Sequence, residues 1–474
     1  MVTECTTDAL SFQASSRRQI VAQFDGGAIS SDAGGLLLRQ VERRTGIIQQ
    51  CAECFTDHRD PDRIEHTVEE LIAQRLYGLA LGYEDLNDHD ELRHDPLLAT
   101  VVGKHDPRGG DRRRQQDQGK ALAGKSTLNR LELTPVGADG AHRYKKITAN
   151  THQIENLFVE LFLQAHREPP EQIVLDLDAT DDPVHGQQLG RFFHGYYKEY
   201  CFLPLYLFCG EDLLCAKLRP ANIDASAGSV AQLQRIVSRI RQCWPETRIM
   251  IRGDSGFCRE PIMAWCEDNG VDYVLGLAIN ARLKGHVTEA MEQAKQQFAR
   301  TQQASRVFVD FTYQTRDSWS RARRVVGKAE YLPKGENPRF IVTSLDAATR
   351  PAAVLYERDY CARGDMENRI KEQQLYLFAD RTSCATLRAN QLRLWFSSIA
   401  YTLLLALRRL GLAGTELAQA QCDTIRLKLL KIGALIRVTV RKIWISLSES
   451  YPYRDLFLRV HRNLRNAPLI SRRC

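Results

Sequence analysis

Acidic side chains stand at three widely spaced places in this chain where their surroundings could support chemistry. The stretch "LDLDATDD" carries four aspartates. Asp176 and Asp178 lie two apart in what reads as a strand, so they share a face. Asp254 follows the apolar run of "RIMIRGD", where a strand end opens into a turn, and Glu367 begins the helix "ENRIKEQQ". Charged residues at strand ends of an α/β sheet often line an active site. Brought to one sheet edge, these acids could hold two divalent ions about 3.5–4 Å apart, which activate a water or a 3′-hydroxyl and stabilise the departing oxygen of a phosphodiester. Hard oxygen donors suit Mg2+ or Mn2+. The bland alternative is that Asp181 and Asp182 are solvated turn acids and Glu367 an exposed helix residue.

A second stretch, "GKALAGKST", satisfies the phosphate-binding pattern G-x-x-x-x-G-K-[ST] through Gly119, Gly124, Lys125 and Ser126. That loop works only where a buried strand feeds it and a helix leaves it. The preceding residues, "DRRRQQDQ", cannot form an apolar strand, and Pro135 closes the following helix within about two turns. The segment therefore reads as an exposed loop, with Ser126 or Thr127 capping a short helix. ATP is not expected as a partner. The basic approach to the loop could instead touch DNA backbone.

The elements that must position the acids change character along the chain. Residues 1–168 read as a helical region. Asp32 can cap a helix through "LLLRQVERR", and Thr67 with Glu70 forms a capping box for "VEELIAQRLYGLALG". Asn150 with Gln153 repeats the device. From about 169 to 280, strands and helices alternate as in an α/β domain. "QIVLDLDAT", the aromatic-rich "RFFHGYYKEYCFLPLYLFCG", "TRIMIRGDSGF" and "VDYVLGLA" supply strands; "SAGSVAQLQRIVSRIRQCW" and "PIMAWCEDNG" supply helices. Residues 281–345 read as a β-containing insertion behind a polar helix. Residues 346–411 return to helices, including the one carrying Glu367. Residues 412–474 form a basic segment in which "ALIRVTVRKIWISL" adds a strand.

Composition bounds the function. The formal net charge is only +7, but residues 421–474 hold twelve Lys or Arg against three Asp or Glu, and "KHDPRGGDRRR" is dense in base. Basic clusters suit a polyanion such as DNA. No basic start and apolar run opens the chain, so a cytoplasmic protein is expected, with its thirteen cysteines mostly reduced. Cys51 and Cys54 form a C-x-x-C pair near His58, but no second pair follows to complete a structural zinc site. The longest apolar run, "LWFSSIAYTLLLAL", is too short to span a bilayer and reads as a buried helix, so no membrane partner is expected.

The stretch from Tyr360 to Glu367, "YCARGDME", has the form Y-x2-R-x3-E. It resembles the signature helix of the DDE insertion-sequence transposases. "LDLDATDDPVHG" and "IRGDSGF" look like that family's first and second acidic motifs, and "RLKLLKIGALIRVTV" is similar to its insertion-sequence thirteen-eighty branch. The resemblance covers most of the chain, most firmly residues 170–445. It implies a ribonuclease H-like α/β core with an inserted β-containing subdomain and a helical N-terminal DNA-binding region. By motif it selects Asp178 over Asp176 and joins it to Asp254 and Glu367 as holders of two Mg2+ or Mn2+ ions. Tyr360 and Arg363 match positions that meet DNA phosphate near the cut. The family pattern places Lys seven residues past the glutamate, where this chain has Gln374; Lys371, one turn past Glu367, is the expected substitute. The activity implied is cleavage at the terminal inverted repeats of an insertion sequence and joining of the freed 3′ ends to target DNA, by at least a dimer on bacterial DNA. A nuclease of the same fold that cuts without joining, and a DNA-binding regulator with a dead site, are the alternatives.

Overall fold

The computed structural model describes residues 9–470. The opening residues read for a leader, and Arg472 and Arg473 of the basic segment, lie outside the described residues. The chain forms two compact units. Among the described residues, one gathers 9–48 with Asp57–Thr148 and Ala406–Pro468; the other gathers Gln49–Thr56 with Ala149–Leu405 and 469–470.

The second unit is built on one mixed sheet. Its strands, in chain order, are β1 (Gln172–Ala179), β2 (Leu205–Cys209), β3 (Asp212–Lys217), β4 (Arg248–Gly253), β5 (Asp272–Leu277), β6 (Ser305–Tyr313), β7 (Arg323–Leu332) and β8 (Arg339–Thr343). They lie in the order β3-β2-β1-β4-β5-β8-β7-β6, with the short Gly335–Glu336 strand beside β7. Only β1, β4 and β5 run parallel. Parallel neighbours need crossovers, and helices Ser229–Cys243 and Glu260–Asp268 supply them. The segment read as an insertion contributes β6, β7 and β8, which continue the same sheet.

Alternation along the strands decides which side faces which helices. Leu175, Leu177, Ile249, Ile251, Tyr273 and Leu275 point to one face, where Leu233, Ile236, Val237 and Ile240 cover them. Met250, Val274, Val326 and Ile341 point to the other, against Leu355 and Tyr356. A three-stranded sheet stands beside this core, with Asp182–Pro183 and Phe192–His194 flanking Glu199–Phe202. The apolar run 394–407 lies in the helix Leu387–Leu407 and is almost wholly buried. Among the described residues no helix is long and apolar enough to cross a membrane.

The first unit opens with a hairpin, Leu10–Ser15 paired to Arg18–Ala22, where the sequence suggested helices. The strand Ala28–Ser30 joins Ala434–Val438 and Ile443–Leu447 in a small sheet, so the basic "ALIRVTVRKIWISL" supplies two strands rather than one. Helix Val68–Leu81 carries the expected reciprocal capping box of Thr67 and Glu70. Asp32 does not cap the helix Gly35–Thr45, whose N-cap is Gly34. Its carboxylate instead accepts the Tyr83 hydroxyl at 2.5 Å and pairs with Lys431 at 2.6 Å.

The segment around Gly119 is also built differently. A short 3-10 turn, Gln115–Asp117, precedes it, and Gly119 takes a positive φ of 81°. The helix Lys125–Leu133 has Gly124 as N-cap; neither Ser126 nor Thr127 caps it. Asp90 accepts from the Lys125 backbone N–H at 3.1 Å and pairs with its ammonium at 3.3 Å, so the anion at this helix N-terminus is the protein's own carboxylate. Part of the basic loop is likewise spent internally. Lys104 pairs with Glu70 at 3.0 Å and Arg112 with Glu65 at 2.8 Å, whereas Arg108, Arg113 and Arg114 are exposed.

Candidate active site

Register places the first two acids. In the parallel pair β1 and β4, Asp176 lies opposite Arg252 and Leu177 opposite Gly253. The next residues outward, Asp178 and Asp254, therefore emerge side by side at the C-terminal ends of neighbouring strands. Asp254 begins a tight turn in which its Oδ1 accepts from Gly256 N at 2.8 Å. Asp178 Oδ1 accepts from Ala179 N at 2.9 Å.

The third acid arrives on a helix with an irregular start. Leu355–Tyr360 winds as a π-helix and Cys361–Arg363 as a 3-10 turn, before the regular helix Gly364–Leu377. Such wide turns recur at functional sites, because they re-aim the side chains around them. Glu367 sits in the first turn of the regular helix, where the N-terminal dipole favours an anion. Arg363 lies one turn earlier and reaches Glu367 at 2.8 Å and Asp178 at 3.9 Å.

Asp178, Asp254, Arg363 and Glu367 line one cavity of about 700 Å3, together with Lys371 and Gln374. Burial pushes the Asp178 carboxyl up to about 7; the Arg363 charge opposes that rise, while Asp254 and Glu367 add to it. Asp176 does not join them. It is 4% exposed and held by a bidentate contact from Arg252, at 2.5 and 2.7 Å. Tyr360 is turned inward against Tyr356, with ring centroids 5.5 Å apart. Gln374 donates from Nε2 to the Asp181 carbonyl at 3.0 Å, anchoring the chain just after β1. Lys371 is exposed at the cavity wall.

Three carboxylates line one space, and hard oxygen donors are the kind that Mg2+ or Mn2+ takes. Among the described residues no three His, Cys, Asp or Glu side chains are grouped tightly enough to hold a metal ion. The Arg363 guanidinium lies between two of the three acids and supplies the positive charge they share. In the C-x-x-C pair, burial pushes the Cys54 thiol up to about 11, and its Sγ donates to the Gln50 carbonyl.

Sequence reasoning missed two contributors. The hairpin tip of His194, Tyr196 and Tyr197 forms another wall of the same cavity. Its aromatic density was visible, but nothing local tied it to the acids. Gly276 on β5 is the other: a Cβ there would lie 2.6 Å from the Tyr360 hydroxyl and 2.9 Å from Ser255 N.

The acids and Arg363 thus meet in one cavity at the C-terminal ends of two central strands. The sequence profile described as transposase DDE domain, group 1, matches residues 12–469. The chain belongs to that DDE transposase family, whose members cleave and transfer DNA and generally use divalent metal ions. No curated protein matches the chain. Among solved structures it is similar to the piggyBac transposase in a synaptic complex with hairpin DNA, at 12% identity and a TM-score of 0.41, covering 94% of this chain and 84% of that one.

Proposed function

We propose that this transposase binds the terminal inverted repeats of its own insertion sequence, cuts at the element ends, and joins the freed 3′-hydroxyls to target DNA. The observation that carries the reading is the meeting of Asp178, Asp254 and Glu367, from two strand ends and a helix, in one cavity with Arg363. Two Mg2+ or Mn2+ ions held there by the three carboxylates would activate the attacking oxygen and stabilise the leaving one.

The chain's own groups do the rest. Asp178 and Asp254 are carried on neighbouring parallel strands, so their spacing is fixed by the sheet. Arg363 pairs with Glu367 and Asp178 until a phosphate arrives, and its planar fork suits bidentate contact with that phosphate. Tyr360 joins Arg363 in contacting DNA phosphate near the cut, and Lys371 reaches the backbone next to the cut as a point charge. Exposed basic residues elsewhere neutralise phosphates, which makes binding strongly salt-dependent. Cutting two ends together calls for at least a dimer on DNA.

The test uses a labelled element end in Mg2+. Asp254→Asn should abolish cleavage while leaving end binding nearly intact, because phosphoryl transfer depends on charge at the metals and binding on backbone contacts elsewhere. Retained cleavage would sink the assignment. Supplying pre-cut ends and a target plasmid separates a joining enzyme from one that only cuts.

A further inference from the structure

Beside the acids the cavity has a wall of a different kind. The hairpin of Phe192–His194 and Glu199–Phe202 brings His194, Tyr196 and Tyr197 to its tip, and all three line the cavity that holds Asp178, Asp254 and Glu367. Tyr196 is 84% exposed. A tyrosine ring left that open at the mouth of a charged cavity contributes little to folding, because most of its apolar area stays in water.

The tip is nonetheless held firmly. Lys198 takes a positive φ of 59°, and its N–H returns to the His194 carbonyl at 2.8 Å, closing the loop. The Tyr197 hydroxyl donates to the Ala179 carbonyl at 3.3 Å, one residue past Asp178. Tyr196 stands edge-on to Tyr197 at 5.1 Å, with planes 88° apart. Tyr197 thus ties the tip to the Asp178 strand end, and Tyr196 packs on Tyr197. Cations surround this aromatic wall: Lys198 follows it in sequence, and Lys371 and Arg363 share its cavity.

We infer that the Tyr196–Tyr197 tip is a stacking platform for an unpaired nucleobase next to the reacting phosphodiester. The inference rests on the transposase reading of the same cavity. Successive bases stack on aromatic side chains whatever their sequence, and cations beside the rings take the phosphates. A cavity of about 700 Å3 suits one or two nucleotides better than an intact duplex. A protein partner seated here would close off the acids, and a lining that includes Asp178, Arg363 and Lys371 is too charged for an apolar segment. A base pulled from its stack reaches Tyr196 while its phosphate stays at Asp178.

The full chain is tested with two probes in Ca2+: a blunt duplex of the element end, and the same duplex with its terminal nucleotides unpaired. Each carries 2-aminopurine, an adenine analogue quenched by stacking, at the end position. The wild type should bind the unpaired end more tightly, by about 10-fold, with quenching. Tyr196→Ala should lose that preference and the quenching while binding the blunt duplex as before. Tyr196→Trp should keep both. Tyr200→Ala, on the same hairpin but outside the cavity, should behave as wild type. Equal preference in Tyr196→Ala and wild type, or no preference in wild type, overturns the platform. If the wild type fails to bind or cut the duplex end at all, the transposase reading fails instead.

Discussion

Gly276 on β5 lies directly beneath the hydroxyl of Tyr360, with no room between them for a methyl group: a Cβ would sit 2.6 Å from that oxygen and 3.1 Å from the carbonyl carbon of Asp254. The backbone of one sheet strand thus packs close against both the Tyr360 hydroxyl and the turn that begins at Asp254. Gly276→Ala should cost about 1–3 kcal/mol in stability, the usual scale of overpacking, and lower cleavage further by displacing Asp254. Tyr360→Phe in the same chain should restore part of the stability, since it removes the nearest contact but not that with Ser255. Thermal melts of the single and double variants check this; an unchanged Gly276→Ala melt contradicts it.

Arg363 sits between Asp178 and Glu367 as their shared counter-charge. Without DNA it should compete with a divalent ion for those carboxylates. Arg363→Gln should therefore bind Mn2+ about 10-fold more tightly in calorimetric titration of the DNA-free protein, a change of ~1.4 kcal/mol. Strand transfer should fall in the same variant, because the phosphate loses its guanidinium. Weaker Mn2+ binding by the variant would show that Arg363 orders the acids rather than competing for them.

The proposed reading gives Lys371, in place of Gln374, the phosphate contact expected of a lysine on this helix. Gln374 is engaged with the Asp181 carbonyl, whereas Lys371 is exposed at the cavity wall. Lys371→Ala should weaken joining of pre-cut ends by roughly 1–3 kcal/mol, the scale of a charged hydrogen bond. Gln374→Ala should do much less, and Gln374→Lys should partly rescue Lys371→Ala. Strand-transfer rates at fixed salt decide it; wild-type joining by Lys371→Ala rejects the substitution.

His66 gives the first unit an acid-sensitive point. Burial, then the charges of Lys104 and Arg112, hold its imidazole down at about 3. The unfolded chain takes up a proton near pH 6.5 and the folded one does not, so stability falls as pH drops below 6.5 and goes on falling towards 3. The slope is about 1.4 kcal/mol per pH unit for this residue. Between pH 7 and 5, denaturant unfolding of the wild type should lose about 2 kcal/mol more than that of His66→Gln. Parallel losses in both proteins would assign the acid sensitivity elsewhere.

The acids were legible in the sequence because each stands where a hydrophobic period breaks off. Asp178 and Asp254 end alternating strands, and Glu367 opens a helix. Choosing Asp178 over Asp176 was not possible from spacing, since both share a face. Pairing separates them: Arg252, on the neighbouring strand, is opposite Asp176 and occupies its carboxylate. The β-hairpin at Leu10–Ala22 was missed because its strands are short and exposed on both sides, so no core-facing period marks them. Asp32 and Asp90 show a further limit. A capping residue can be read locally, but a carboxylate that serves a distant tyrosine or another helix's N-terminus cannot.

The direct pairing of β8 with β5, Thr343 opposite Val274 and Phe340 opposite Leu277, makes residues 278–339 a closed detour. From β5 the chain passes out to β6 and β7 on the far side of the same sheet and returns through β8 beside β5 before turning towards Glu367. Length added to or removed from the far side of that detour lands on strands remote from the acids, so the excursion can change in length while the spacing from second acid to third, set by the β5–β8 pairing, stays the same.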